Sequence, residues 1–266
     1  IKGTQDPAFN TGLKINYLKL APQDGVVLLR QNTVISGSAF TNGYFYRVYN
    51  YSGQQIRTGF FSYLNNLPGE QEVITSSQTI DNKDMNLSAG FGLVYLQKNG
   101  TKLSTFYPYA SAYKGRINLA AKIETGNFKL VVTGPTSGGG PQVRMFLPDG
   151  KLLGSFFAYD KNTRGGVSVA LADVNGDGLD EIVTAPGVGQ EPLIKVFSTK
   201  GILINSFLAY DKKFKGGVSV AVGDTNGDGQ IDIITAPGAG GGPHIRIFNS
   251  RGEVLSNFFA YDQNYH

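Results

Sequence analysis

The chain contains no cysteine and no tryptophan, and only two histidines and two methionines in 266 residues. Without cysteine there is no disulfide scaffold, no thiolate zinc site and no cysteine nucleophile. Two histidines leave little room for a histidine-rich metal centre. No apolar run approaches the roughly 20 residues that a membrane-crossing helix needs, so no transmembrane segment is expected. Charged residues make up only 17%, and the net charge of +4 is small. The basic residues are scattered rather than clustered, so nucleic acid is not an expected partner. Disorder is excluded too, because 41% hydrophobic residues is a globular composition. Glycine is what the chain has in excess. Its 36 glycines are about twice the usual share, and so many tight turns point to β structure.

The sequence repeats itself. FFAYD at Phe156–Asp160 returns as FLAYD at Phe207–Asp211 and as FFAYD at Phe258–Asp262, each step being 51 residues. Between these marks GGVSVALADVNGDGLDEIVTAPG from Gly165 aligns without gaps with GGVSVAVGDTNGDGQIDIITAPG from Gly216. A weaker copy, GRINLAAKIETGNFKLVVTGP from Gly115, keeps the same offset, with Pro135 opposite Pro186. Two more degenerate copies show in the second half of the unit. There an apolar strand, a turn glycine and an F/Y-rich strand recur around Gly53, Gly100, Gly150, Gly201 and Gly252. DPAFNTGL from Asp6 resembles DKKFKGGV from Asp211, so the start of the chain shares the phase.

Within a unit VSVALAD alternates and is rich in β-branched residues, as a strand requires. DEIVTAP is a second strand, PLIKVFS a third and KGILINSFLAY a fourth, the last two joined at a glycine turn. No stretch has helical periodicity. Four short strands per unit of about 50 residues is the pattern of a β-propeller blade. A β-solenoid is the runner-up, but its repeats are shorter. The expected fold is therefore all-β, a single β-propeller over 1–266 of about five four-stranded blades. The expected blades are 6–63, 64–110, 111–160, 161–211 and 212–262. The alternative is part of a larger propeller or repeat array. A ring that closes is expected to be monomeric. Because propeller strands run alternately up and down, the acidic loops share one face with the hairpin glycines. The APG-type glycine loops and the AYDK loops share the other.

Two acidic loops carry the chemistry. Asp173, Asn175, Asp177, Leu179 and Glu181 occupy positions 1, 3, 5, 7 and 9 of one; Asp224, Asn226, Asp228, Gln230 and Asp232 do so in the other. Side-chain oxygens at 1, 3, 5 and 9, a glycine at 6 and a backbone carbonyl at 7 suit Ca²⁺, a hard cation with 6 to 8 oxygen ligands. About two calcium sites are therefore expected. Position 12, where an EF-hand carries its bidentate Glu, is Thr184 or Thr235, and the flanks are strands, so an EF-hand is not expected. A pair of ordinary Asn-Gly/Asp-Gly turns is the plainer alternative. Matched carboxylates in two loops in register weigh against it. The third unit has Lys122, Glu124, Gly126 and Lys129 at positions 1, 3, 5 and 8 and should bind no metal. The first two units show only a polar turn, with Asp81, Asn82 and Asp84.

These loops, the following IVTAPG and IITAPG, and GGGPHIRIF resemble FG-GAP/VCBS repeats, which build the propeller of integrin α chains and many bacterial surface proteins. The strong resemblance covers Gly115 to Asp262. It implies calcium on one face, an extracellular or cell-surface setting, and a role in adhesion or ligand binding. Its ligand pattern carries over to Asp173, Asn175, Asp177, Leu179 and Glu181, and to Asp224, Asn226, Asp228, Gln230 and Asp232. It fails in the first three units, so a uniform calcium ring is not implied.

The opposite face carries Lys161, Arg164, Lys212, Lys213 and Lys215, and loops ending in Gln142/Arg144, Pro192/Lys195 and His244/Arg246. It reads either as a cationic platform for an anionic polysaccharide or as a solvated rim. Tyr159, Tyr210 and Tyr261 read either as sugar-stacking groups or as packing between blades. The glycine runs lack the Lys-Ser/Thr end of a phosphate loop, and close backbone approach explains them better. An enzyme needs one asymmetric cluster of acid, base and stabiliser. No such cluster is legible, although Asp24, Glu70, Glu72 or Asp84 in the early units could hide one. The expected function is a non-catalytic, calcium-stabilised binding, adhesion or display module whose partner is a surface glycan or protein. The alternatives are a lectin-like carbohydrate-binding module and a calcium-dependent polysaccharide-acting enzyme.

Overall fold

The structure, a computed structural model, describes residues 17–21, 25–36, 39–49, 55–62, 78–80, 83–90, 93–98, 101–110, 113, 115–124 and 127–260; side chains are described for Val94, Leu96 and from Leu103 onward. All its regular elements are β-strands, and no helix among the described residues is long and apolar enough to cross a membrane. The strands make five four-stranded antiparallel sheets, each a meander in chain order. The first holds β1 (Tyr17–Ala21), β2 (Gly25–Ser36), β3 (Ala39–Tyr49) and β4 (Gln55–Ser62). The second holds β5 (Gln78–Ile80), β6 (Lys83–Gly90), β7 (Leu93–Lys98) and β8 (Thr101–Phe106). The third holds β9 (Ile117–Glu124), β10 (Asn127–Pro135), β11 (Gln142–Phe146) and β12 (Leu152–Phe157). The fourth holds β13 (Val167–Ala172), β14 (Glu181–Pro186), β15 (Leu193–Ser198) and β16 (Leu203–Leu208). The fifth holds β17 (Val218–Gly223), β18 (Asp232–Pro237), β19 (His244–Phe248) and β20 (Val254–Phe259).

Burial changes stepwise across the last two sheets. Every residue of β14 and β18 is buried, so both faces of these strands are covered. Their β-branched runs, Ile182-Val183-Thr184 and Ile233-Ile234-Thr235, suit a strand packed on two sides. The outermost strands β12, β16 and β20 alternate instead between exposed and half-buried positions. A sheet covered on both faces needs a neighbour on each. Here β9 and β10 lie against β13, and β13 and β14 against β17. The third, fourth and fifth sheets thus pack face to face with their first strands gathered together. The gathered side also takes in β1, which lies against β17 and β18, while β6 lies against β9.

Hydrogen bonds tie the sheets at two levels. Along the gathered strands, the Asn118 amide donates to the Val167 carbonyl at 2.7 Å, and the Val220 N–H donates to the Ser168 hydroxyl at 3.2 Å. At the rim, the glycine loop of one sheet bonds the entry loop of the next. The Gly138 N–H donates to the Arg164 carbonyl, and Gly189 to that of Lys215, both at 2.8 Å. The approach is too close for side chains. Between sheets, a Cβ on Gly166 would lie 2.4 Å from the Pro135 carbonyl oxygen; within the fourth sheet, one on Gly187 would lie 1.7 Å from that of Gly165. This is the close backbone approach that the glycine runs predict.

Candidate functional site

The two acidic loops connect β13 to β14 and β17 to β18. The ladders run up to Ala172↔Glu181 and Gly223↔Asp232, so each pair of strands clamps both ends of its loop. Each loop curls round its first aspartate. The Asp173 carboxylate accepts from the N–H groups of Gly176 (2.7 Å), Asp177 (3.1 Å) and Gly178 (2.8 Å). Asp224 accepts likewise from Gly227 (2.7 Å) and Gly229 (3.0 Å), and these backbone donors hold its carboxyl below the usual range. Gly178 and Gly229 sit at φ of 86° and 84°, with open space around a notional Cβ. Glycine is therefore required there for backbone conformation, not for room.

Positions 3 and 5 brace each other. The Asn175 amide donates to Asp177 at 3.2 Å, and Asn226 to Asp228 at 3.0 Å. The aspartates accept from the N–H at position 7, Leu179 or Gln230, at 2.8 Å in both loops. Position 9 lies deeper. Glu181 and Asp232 are each only 2% exposed. Glu181 accepts from the Val174 N–H at 3.1 Å; Asp232 accepts from the Thr225 N–H at 3.0 Å and from its hydroxyl. Burial pushes both carboxyls above their ordinary values. The neighbouring loop carboxylates, Asp177 and Asp173 in one case and Asp228 and Asp224 in the other, push the same way.

This donor set fits a hard cation. It is all oxygen, it is clamped between two strands, and its deepest carboxylate is buried with no cationic side chain bonded to it among the described residues. The acidic side chains do not converge into a group of three among the described residues. They turn instead to backbone N–H groups, a disposition that also limits their mutual repulsion.

The third sheet lacks such a loop because its hairpin runs on to Glu124↔Asn127. Its position-1 residue, Lys122, holds Glu124 at 3.1 Å and Asp180 of the next sheet's acidic loop at 2.9 Å. Both carboxylates push the Lys122 ammonium above its usual range. Asp24, Glu70, Glu72, Asp81, Asn82, Gly53, Gly100, Gly126 and Tyr261 lie outside the described residues, as does the side chain of Asp84.

The FG-GAP repeat model matches residues 165–192, which span β13, the first acidic loop, β14 and the glycine loop after it. The chain carries an FG-GAP repeat. No curated protein matches it in sequence. Among solved structures it is similar to the one titled "Crystal structure of BBS1N in complex with ARL6DN, soaked with mercury", at 11% identity and a TM-score of 0.37 over 86% of this chain and 81% of that one. At that score nothing is argued from the likeness.

The FG-GAP repeat and its two flanking sheets share a seam that sequence reasoning only half reads. The fourth strand ends at Phe157 or Leu208, earlier than FFAY and FLAY suggest, and the next residues turn into the seam. Phe156 packs on Phe197 of the next sheet with ring centroids 4.7 Å apart, and Phe207 on Phe248 at 4.8 Å. The Tyr159 hydroxyl reaches the carbonyls of Leu193 (2.8 Å) and Thr184 (3.0 Å) and the Thr184 hydroxyl (3.2 Å). Tyr210 repeats this with the His244 carbonyl (2.9 Å) and Thr235 (3.1 Å), and Tyr109 with the Gln142 carbonyl (2.9 Å) and Thr133 (3.0 Å). Burial pushes all three phenols well above their usual range. Tyr159 and Tyr210 are therefore packing residues rather than open sugar platforms.

Three cations complete the seams and are therefore not free on the basic face. Lys195 donates to the Ala158 carbonyl at 2.9 Å, Arg144 to that of Pro108 at 2.7 Å, and Arg246 to that of Ala209. Each lies over the tyrosine of the preceding unit, 4.9 to 6.0 Å from the ring centroid. They point inward because a carbonyl and a ring face at the seam offset their desolvation. Of the remaining basic residues, Arg164 donates to the carbonyls of Lys161 and Thr163, while Lys212 and Lys215 face Glu191 at 3.8 and 3.5 Å. The recurrence of Thr133, Thr184 and Thr235 at 51-residue steps is the signal that could have revealed the seam.

Proposed function

We propose that the chain is a β-propeller of five four-stranded blades, stabilised by two Ca²⁺ ions and serving as a non-catalytic binding module outside the cell. The observation that carries the reading is the pair of register-matched acidic loops, in each of which burial and two further carboxylates push the position-9 carboxyl above its ordinary value. Asp173, Asn175, Asp177 and Glu181, with the Leu179 carbonyl, would hold one ion. Asp224, Asn226, Asp228 and Asp232, with the Gln230 carbonyl, would hold the other. Bound calcium would offset the repulsion among the carboxylates and pin each loop to its two strands. Closure of the ring is supported by the contact of β1 with β17 and β18, at the far end of the chain from β1. An extracellular or cell-surface setting suits loops of this kind, whose affinity in extracellular modules is about 10⁻⁴ to 10⁻³ M. A glycan or protein at a surface is the partner this setting supplies.

The test is a calcium titration followed by melting temperature. Wild type should rise with free calcium as mass action requires. Asp177→Ala and Asp228→Ala should each blunt that rise and the response to chelator. Equal melting curves for mutants and wild type across the titration would remove the metal assignment.

A further inference from the structure

A cleft of about 590 Å³ opens on the acidic-loop side between the fourth and fifth sheets. Its aliphatic lining is the buried Val174 and Val196 and the half-exposed Ile204, and its polar wall includes Gln230, Ser250 and Arg251. From this cleft we infer a binding site for a neutral glycan, an assignment that rests on reading the chain as a binding module. A volume of this size is that of a small-molecule site.

The free groups set the ligand chemistry. Among the described residues no side-chain hydrogen bond or ion pair engages the Gln230 amide, the Ser250 hydroxyl or the Arg251 guanidinium; Gln230 and Arg251 are engaged only through their N–H groups, and Ser250 through its carbonyl. Together they present donors and acceptors over an aliphatic surface, which suits vicinal hydroxyls above sugar C–H groups. An extended peptide is less well served. The amides that would read its backbone are already used: Asn205 donates to the Ser250 carbonyl and accepts from the Ser206 N–H, and Asn249 binds Glu253 and the Arg251 N–H. The lining carries one cation, Arg251, and no second one to fix an anionic ligand.

The cleft is a feature of this seam rather than of the repeat. At the seam between the third and fourth sheets, Lys122 bridges to Asp180 at 2.9 Å. The residues at the corresponding positions of the next seam are Asp173 and Ile231, which cannot form that bridge. Gly154 and Ser198 stand there where the cleft has Asn205 and Asn249, and Leu179 stands where it has Gln230. Between these two described seams, the consequence is one site rather than a repeated pair.

The experiment uses the full chain in millimolar calcium on an array of neutral and anionic oligosaccharides, with an extended-peptide library alongside. The tightest ligand is then titrated by calorimetry. Ile204→Arg would fill the cleft from a half-exposed position, and Arg251→Ala would remove a donor from an exposed turn. Lys213→Ala, on the opposite rim, is the control. The expected result is a neutral oligosaccharide whose affinity falls at least about tenfold in both cleft variants, with unchanged melting temperature and no effect of Lys213→Ala. A neutral glycan that binds both cleft variants as wild type would overturn the site while leaving the binding-module reading standing. Binding only of anionic glycans or of peptides would overturn the ligand class. Binding of nothing on either array by a folded, calcium-stabilised chain would count against both readings.

Discussion

Replacing Tyr159 by phenylalanine tests the seam with the smallest possible change. The ring would remain between the sheets, and only the hydroxyl would be lost. That hydroxyl is the donor to the Leu193 carbonyl at 2.8 Å and lies 3.0 Å from the Thr184 carbonyl. Removing it leaves a part-buried acceptor without its partner, a loss worth about 1–3 kcal/mol. At roughly 2–4 °C per kcal/mol for a chain of this size, a mid-range loss of about 2 kcal/mol lowers the melting temperature by about 4–8 °C. Differential scanning calorimetry at fixed calcium measures it. Thr184→Val alone and combined with Tyr159→Phe should be less than additive, because the two side chains share one network. Phe157→Ser, two residues earlier at the end of β12, is the control. Phe157 is 50% exposed, and such a surface change should stay within about 0.5 kcal/mol. A Tyr159→Phe protein that melts with wild type, or a double mutant that is strictly additive, would refute the seam as a source of stability.

Other outcomes follow from the same geometry. In chelator, stability should rise as pH is lowered from neutral towards about 4, because the raised carboxyls of Glu181 and Asp232 bind protons more tightly folded than unfolded. Expressed the other way, stability falls as pH rises from about 4 through their raised native values. Asp224, held low, opposes this only below the ordinary carboxylate range. Saturating calcium should flatten or invert the trend, and a chelated protein whose melting temperature falls steadily below neutral pH would contradict it. Lys122→Met should cost about 1 kcal/mol with and without calcium alike, since Lys122 is part-exposed and only Asp180 of its two partners lies across the seam; a loss seen only in calcium would show that Lys122 acts through the metal loop. Gly187→Ala should cost about 1–3 kcal/mol or more through the clash with Gly165. Gly189→Ala, at φ of 92° in open space, should cost about 1–2 kcal/mol through backbone strain alone. Chemical denaturation ranks the two, and the reverse order would refute the close approach.

Sequence alone determined the features that are local or that repeat. The 51-residue period, the alternation within VSVALAD, and the Asn-Gly and Asp-Gly turns follow from which side chains stand at which spacing. The all-β class and four-stranded units follow in turn, and the family resemblance rests on the same motifs. The acidic loops were legible because their candidate ligands lie within nine consecutive residues. Direction across a seam was not legible in this way. Lys195 and Arg246 sit on a strand near a polar loop, and although Phe248 faces Arg246 within its own unit, the inward direction of both is not set there alone. That depends on a carbonyl and a tyrosine 36 or 37 residues earlier, brought near only when two sheets pack. The burial of Glu181, the bridge from Lys122 to Asp180 and the cleft beside Arg251 likewise exist only between sheets. Periodicity states which residues are equivalent. Packing decides what each one touches, because the energy of burying a charge or a hydroxyl depends on the partner that the neighbouring sheet supplies.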